Sequence, residues 1–276
     1  MPPKPRTYQP AKVRAALAAQ TGALRETVRR LCERPDAEQQ LARPTRLGEW
    51  TVRELVAHLA VQLEWVPAHL DDPLEGRPPL DLPGWVAAVG TVAPLLDEQA
   101  RERAASVGFA GDPAAVAEAF DRSAQALLAL LDRPEAADPA RRFEIRLGSM
   151  ALSDLLVTRL VETVVHADDL ADALGLDAFP HDKQAVAAVT RLLADAFADR
   201  APGGAVELRI PPYAVVQAVE GPKHTRGTPP NVVETDPLTW IRLATGRTDW
   251  AAAVDAAAVS ASGERSDLRG YLPVLG

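Results

Sequence analysis

The chain has 276 residues, about two domains' worth, and 47% hydrophobic with 25% charged residues is the balance of a globular protein with a real core. A net charge of -8 argues against the clustered Lys and Arg of a general nucleic-acid surface. One cysteine, Cys32, excludes an intramolecular disulfide and a multi-cysteine zinc ribbon, and no apolar run reaches the roughly 18 residues of a membrane span. The 24 prolines are scattered, which excludes collagen-like repeats. The opening MPPKPRTYQP has no apolar h-region, so the expected compartment is the cytoplasm.

From Pro10 to about Arg34, Val13, Leu17, Leu24, Val28 and Leu31 recur at helical spacing, and Arg34-Pro35 stops the run. Cys32, near its end, reads as a small buried or half-buried hydrophobe rather than a reactive thiol. Thr51-Val52-Arg53-Glu54 is a capping box, with Trp50 and Leu55 placed as a hydrophobic staple, and it opens a helix through His58 to about Ala68. Residues 71–83 read as a loop. A third helix is predicted over roughly Trp85 to Ser106, disturbed by Gly90 and Pro94. A fourth opens at Asp112-Pro113 and ends before Arg133-Pro134. A linker leads to a helix from about Ser153 to Leu174, with Gly175 just past its end, and another spans about Asp182 to Arg200.

After Ala201-Pro202-Gly203-Gly204 the character changes. Ala205–Ile210 and Tyr213–Glu220 read as strands on either side of Pro211-Pro212, and a polar loop, Gly221–Pro230, follows. Asp236-Pro237 opens a helix that stops at Gly246. Residues 249–256 look helical, Ala258–Ala261 strand-like, and Ser266–Leu272 a last short helix.

Arg159, Glu162, His166 and Asp169 fall on one stripe of the Ser153–Leu174 helix, whose other faces are apolar. Four ionisable groups on a buried helix are costly unless paired or metal-bound. His58 lies at the edge of its own helix's apolar stripe, with Glu54 one turn before it. If these two helices face each other in a four-helix bundle, His58, Glu162 and His166 meet. Two imidazoles and a carboxylate with open positions are the donor set of a catalytic zinc site, and nickel or iron would also suit it. Asp169 or Glu54 would accept a ligand's distal N–H. The plainer reading is that Glu162 pairs with Arg159. His69, His181 and His224 read as solvated surface residues. In the Gly221–Pro230 loop, Lys223 and Arg226 are placed to bind a thiol cofactor or an anionic substrate at a domain interface; the plainer reading is a solvated loop. No G-x-G-x-x-G, P-loop, G-x-S-x-G or H-E-x-x-H occurs.

Two stretches resemble a known family. Gly48-Glu49-Trp50-Thr51-Val52-Arg53-Glu54-Leu55-Val56-Ala57-His58-Leu59 is similar to the first metal-ligand helix of the mycothiol-dependent maleylpyruvate isomerase family, part of the DinB-like group of metal-binding bundles. Arg159-Leu160-Val161-Glu162-Thr163-Val164-Val165-His166-Ala167-Asp168-Asp169-Leu170-Ala171 resembles its second signature, R-x-x-E-x-x-x-H-x-x-D-L. The resemblance implies that His58, Glu162 and His166 hold a divalent metal, zinc first among the candidates, and that mycothiol is a cofactor. The implied reaction is isomerisation or thiol transfer with a mycothiol thiolate. Beside it, Arg159 is read as the catalytic residue that orients a small anionic substrate or neutralises Glu162. One departure stands out: where the family commonly has Gly and an aromatic after the second histidine, this chain has Ala167-Asp168. A second carboxylate there would change which substrate or thiol is accepted.

Pro211–Gly221, Glu234–Gly246 and Ser260–Leu268 together resemble a bacterial sterol-carrier-protein-2-like domain, a curved sheet packed with helices. This supplies the alternative function, a non-catalytic binder of an apolar small molecule or lipid, although Leu238, Trp240, Ile241 and Leu243 read as ordinary core. The expected architecture is α followed by α+β: a DinB-like four-helix bundle over 10–200 and a small SCP2-like α/β domain over 203–276.

Overall fold

The computed structural model describes residues 7–138, 140–221 and 229–275. They divide into two units, Tyr8–Asp81 with Thr91–Ala185, and Leu82–Gly90 with the chain from Val186 onward.

In the first unit, α1 (Pro10–Cys32) starts on a proline, whose missing N–H costs nothing at a helix start. A short α2 (Ala37–Leu41) follows. Thr51 caps α3 (Val52–Ala68): its hydroxyl accepts from the Glu54 N–H, and its own N–H donates to Glu54 Oε2 at 2.6 Å, so the capping box forms as expected. The long helix predicted over 85–106 is two helices, α4 (Leu82–Ala88) and α5 (Ala93–Ala104), with a 3-10 turn over Val89–Val92 between them. Pro94 is the cause: within a continuous helix it would lose a hydrogen bond and clash with the preceding turn, whereas at the start of α5 it fits. Asp112 accepts from the Ala115 N–H at 2.9 Å and caps α6 (Pro113–Leu131). The expected linker contains an antiparallel hairpin, β1 (Arg142–Ile145) with β2 (Gly148–Ala151). Strands of four residues are too short to show a two-residue period. Gly148 has φ +151°, and a Cβ there would lie 2.8 Å from the Pro78 carbonyl oxygen, so only glycine admits the neighbouring chain this closely. Next, α7 (Leu152–Leu174) ends on Gly175 with φ 67°.

Helix α1 packs on α6 and α7, and α3 packs on the same two, which closes a four-helix ring; α5 lies against the outside of α3. With neighbours on so many sides, α3 and α7 are buried around most of their circumference.

Most of the last long helix, α8 (Lys183–Arg200), belongs to the second unit. There β3 (Val206–Ile210), β4 (Ala214–Ala218), β5 (Val232–Thr235) and β6 (Val259–Ser262) form one sheet in the order β4-β3-β5-β6. The β3–β4 and β5–β6 pairs are antiparallel and β3–β5 is parallel. Strand β5 is not among the predicted elements; its four residues begin one residue beyond the Pro-rich loop, after Asn231. Val206, Leu208 and Ile210 alternate into the core. Helix α9 (Pro237–Ala244), capped by Asp236, follows β5, and α10 (Trp250–Asp255) comes after it. Trp240 of α9 sits edge-on to Phe197 of α8 with ring centroids 5.5 Å apart. Instead of the short helix predicted over 266–272 there is one 3-10 turn, Arg269–Tyr271. The architecture is the expected one, a helical bundle followed by a small sheet-containing domain. No described helix is long and apolar enough to cross a membrane.

Candidate metal centre

His58 lies two turns inside α3, and Glu162 and His166 lie one turn apart in the middle of α7. Because α3 and α7 are neighbours in the ring, the three side chains converge. His58 Nε2 is 3.1 Å from Glu162 Oε2, and His166 Nε2 is 3.4 Å from the same oxygen. All three candidate ligand atoms lie within 4.8 Å of one another. With zinc–nitrogen and zinc–oxygen bonds of about 2.0–2.1 Å, the edge of a tetrahedron is about 3.4 Å. The spacing therefore suits one ion.

The charges point the same way. Burial pushes the His58 pKa down, and the hydrogen bond with Glu162 only partly offsets it. Burial would raise the Glu162 pKa, but hydrogen bonds with both histidines hold it well below the ordinary carboxylate range. His166 is half-buried, and the lowering by desolvation is outweighed: its pKa is raised because Asp169 and Glu162 face it. Asp169 Oδ2 lies 2.9 Å from His166 Nδ1. A carboxylate only accepts, so Nδ1 carries the proton and Nε2 faces the cluster. A neutral His166 then aims a lone pair at Glu162 Oε2. Two acceptors face to face need a proton or a cation between them, and a divalent ion would displace that proton. The donor chemistry of these residues fits a divalent metal.

Comparison with known proteins gives the family and the fold. The model for the mycothiol maleylpyruvate isomerase N-terminal domain matches residues 5–171. The chain belongs to that family. Residues 182–274 match the model described as a bacterial SCP ortholog. Among solved structures, the crystal structure of the mycothiol-dependent maleylpyruvate isomerase superposes with a TM-score of 0.58 at 16% identity, covering 94% of this chain and 95% of that one. A histidine-to-alanine mutant of that isomerase gives the same TM-score at 17% identity and the same coverage. At such identities the likeness is one of fold. A search of curated proteins finds no match.

The residues around the cluster in this member of the maleylpyruvate isomerase family were only partly foreseen. Of the two carboxylates proposed to orient a histidine, Asp169 does so, whereas Glu54 is taken up by the capping box. Trp50, read from the sequence as a staple, packs its ring 5.0 Å from that of His58 and 6.4 Å from that of His166. Its indole N–H donates to Asp97. Asp168, the family departure, is buried and faces Arg46 at 2.5 Å. Arg159 is buried beside Glu162 but is not paired with it. Its guanidinium donates to Gln62 Oε1 and Thr158 Oγ1. Burial lowers its pKa, with the charge of Glu162 working the other way. Gln62, one turn beyond His58 on α3, carried no signal that marks it in the sequence.

The other histidines are less solvated than expected. His69 is half-buried and stacks on Trp65 at 4.3 Å, and His181 is half-buried 3.1 Å from Gln20. Lys223, His224 and Arg226 lie outside the described residues. Cys32 is half-buried, and burial raises its pKa to about 11. At pH 8 its thiolate fraction is then roughly 100-fold below that of an exposed thiol of pKa about 9. Alkylation by iodoacetamide, followed by mass spectrometry, is expected to be slow at pH 8 and to accelerate steadily up to pH 10.

Proposed function

We propose that the protein is a divalent-metal-dependent and thiol-dependent isomerase or transferase, with mycothiol as the thiol and a small anion as the substrate. The observation that carries this reading is the convergence of His58, Glu162 and His166 on one point, with Asp169 fixing the proton on the far nitrogen of His166. The names of the family and of the solved relatives supply the thiol. When bound, the metal supplies Lewis acidity and lowers the pKa of a thiol, making a nucleophile available at neutral pH. His58 and His166 present Nε2, and Glu162 supplies the single negative charge of the set. Trp50 keeps water from one side of the ring pair. Arg159 has N–H groups beyond those used by Gln62 and Thr158, and a buried guanidinium attracts a carboxylate or similar anion. We assign it the role of orienting the substrate.

The test is metal content, by inductively coupled plasma mass spectrometry, of untagged protein beside His58→Ala and His166→Ala. The expected result is near-stoichiometric divalent metal, zinc first, in the parent and none in either variant. A parent that stays metal-free after exposure to zinc, nickel and iron would falsify the metalloenzyme reading. Attention would then move to apolar ligands of the carboxy-terminal domain.

A further inference from the structure

The loop between α2 and α3 brings a cation to the back of the cluster. Thr45 closes it: its N–H and its hydroxyl both donate to the Trp50 carbonyl at 2.8 Å, and the Leu47 N–H donates to that hydroxyl oxygen at 3.1 Å. Gly48 takes the left-handed turn at φ 62°. Trp50 leaves one end of this loop toward the histidine rings, and Arg46 leaves the middle toward α7. Arg46 Nε donates to Asp169 Oδ1 at 2.6 Å and Nη2 to Asp168 Oδ2 at 2.5 Å, with Asp172 Oδ1 at 3.9 Å from Nη1.

Both oxygens of Asp169 are therefore committed, Oδ1 to Arg46 and Oδ2 to His166 Nδ1. Rotating that carboxylate breaks one bond or the other, so the guanidinium fixes the plane in which the imidazole is held. Asp169 is wholly buried and Asp168 nearly so, which is an unfavourable setting for two carboxylates. Replacing such buried ion pairs by apolar residues is often neutral or stabilising, so stability alone is a weak account of the arrangement; the orientation of His166 is a benefit that the geometry itself supplies.

We propose that Arg46 is a positioning residue for the metal centre, acting through Asp169 to hold His166 Nε2 on the ligand point it shares with His58 and Glu162. The proposal rests on the metal-binding reading above. Asp168 then serves as the second jaw of a planar clamp, which turns the departure from the family pattern into part of the support for the site. A guanidinium suits this task because its fork meets two carboxylates in one plane, whereas an ammonium is a point charge.

The experiment measures zinc affinity of the untagged full-length chain by competition with a chromophoric chelator, with thermal unfolding and the visible spectrum at saturating cobalt(II) alongside. Removal of a group hydrogen-bonded directly to a ligand typically weakens metal binding about 10–100-fold; Arg46 acts one bond further out, so Arg46→Ala is expected to lose about 10-fold, together with a shifted cobalt band. Arg46→Lys is expected to fall between the two, and Arg43→Ala, an exposed change in the same loop, to match the parent within about 3-fold. If Arg46→Ala does not fold, Arg46→Lys decides: an affinity and a cobalt band equal to the parent's overturn the proposal. A folded Arg46→Ala that keeps parental affinity or an unchanged band overturns it too. A parent that binds no zinc defeats the metal reading itself, an outcome distinct from a parent that binds while the variants are unaffected.

Discussion

Glu162→Gln is expected to weaken zinc binding well over 100-fold, beyond the roughly 10–100-fold typical of outer partners. Glu162 is the one anionic member of the triad, and a single oxygen of it faces both histidines at 3.1 and 3.4 Å. Glutamine has the same shape but no charge, and its NH₂ group can donate but not ligate. The substitution thus isolates the ligand role from packing. Helices α3 and α7 keep their apolar contacts, and His166 keeps Asp169, so the circular dichroism and the unfolding midpoint of the metal-free variant should stay close to the parent's. Chelator competition at pH 7 reads the affinity. A Glu162→Gln chain that retains tight zinc would mean that the ion sits elsewhere.

Trp240→Ala is expected to destabilise the carboxy-terminal unit by about 3–5 kcal/mol, the cost of deleting a large aromatic side chain from a filled core. Trp240 is 1% exposed and packs edge-on against Phe197, which is itself fully buried. Among the described residues its indole N–H has no hydrogen-bond partner, so Trp240→Phe should cost much less. Urea unfolding followed by fluorescence and circular dichroism would show the alanine variant's midpoint lowered by more than about 1 M. The same measurement bears on the alternative function. If Trp240 lined a cavity for an apolar ligand, its truncation would barely change stability and would alter binding of a fluorescent lipid instead.

Much of the centre is legible in the sequence, and for one reason: neighbours on a helix are placed by covalent geometry. Glu162 and His166, four apart, must share a face of α7, and Asp169, three further on, must reach His166. The capping box at Thr51 and Glu54, the start of α6 at Asp112 and the end of α7 at Gly175 are local in the same sense. Even His58 can be matched to the other helix through the family resemblance. What escapes the sequence is of two kinds. The first is local but weakly marked. Strands of four residues, such as β1, β2 and β5, carry too few alternations to be read, and a proline inside an apolar run hides the break between α4 and α5.

The second kind concerns pairs distant in the chain. Arg46 meets Asp168 and Asp169 across 122 and 123 residues, and Arg159 meets Gln62 across 97. Spacing along one helix suggests that Glu162 neutralises Arg159, but packing gives Glu162 two histidines and leaves the guanidinium with neutral oxygens. The amino-acid sequence by itself determined which side chains share a face and where the long helices of the metal centre begin and end. Only the tertiary structure decided which faces meet, because that choice depends on how α1, α3, α6 and α7 close their ring. The partners of Arg46, Arg159 and His58 follow from that closure.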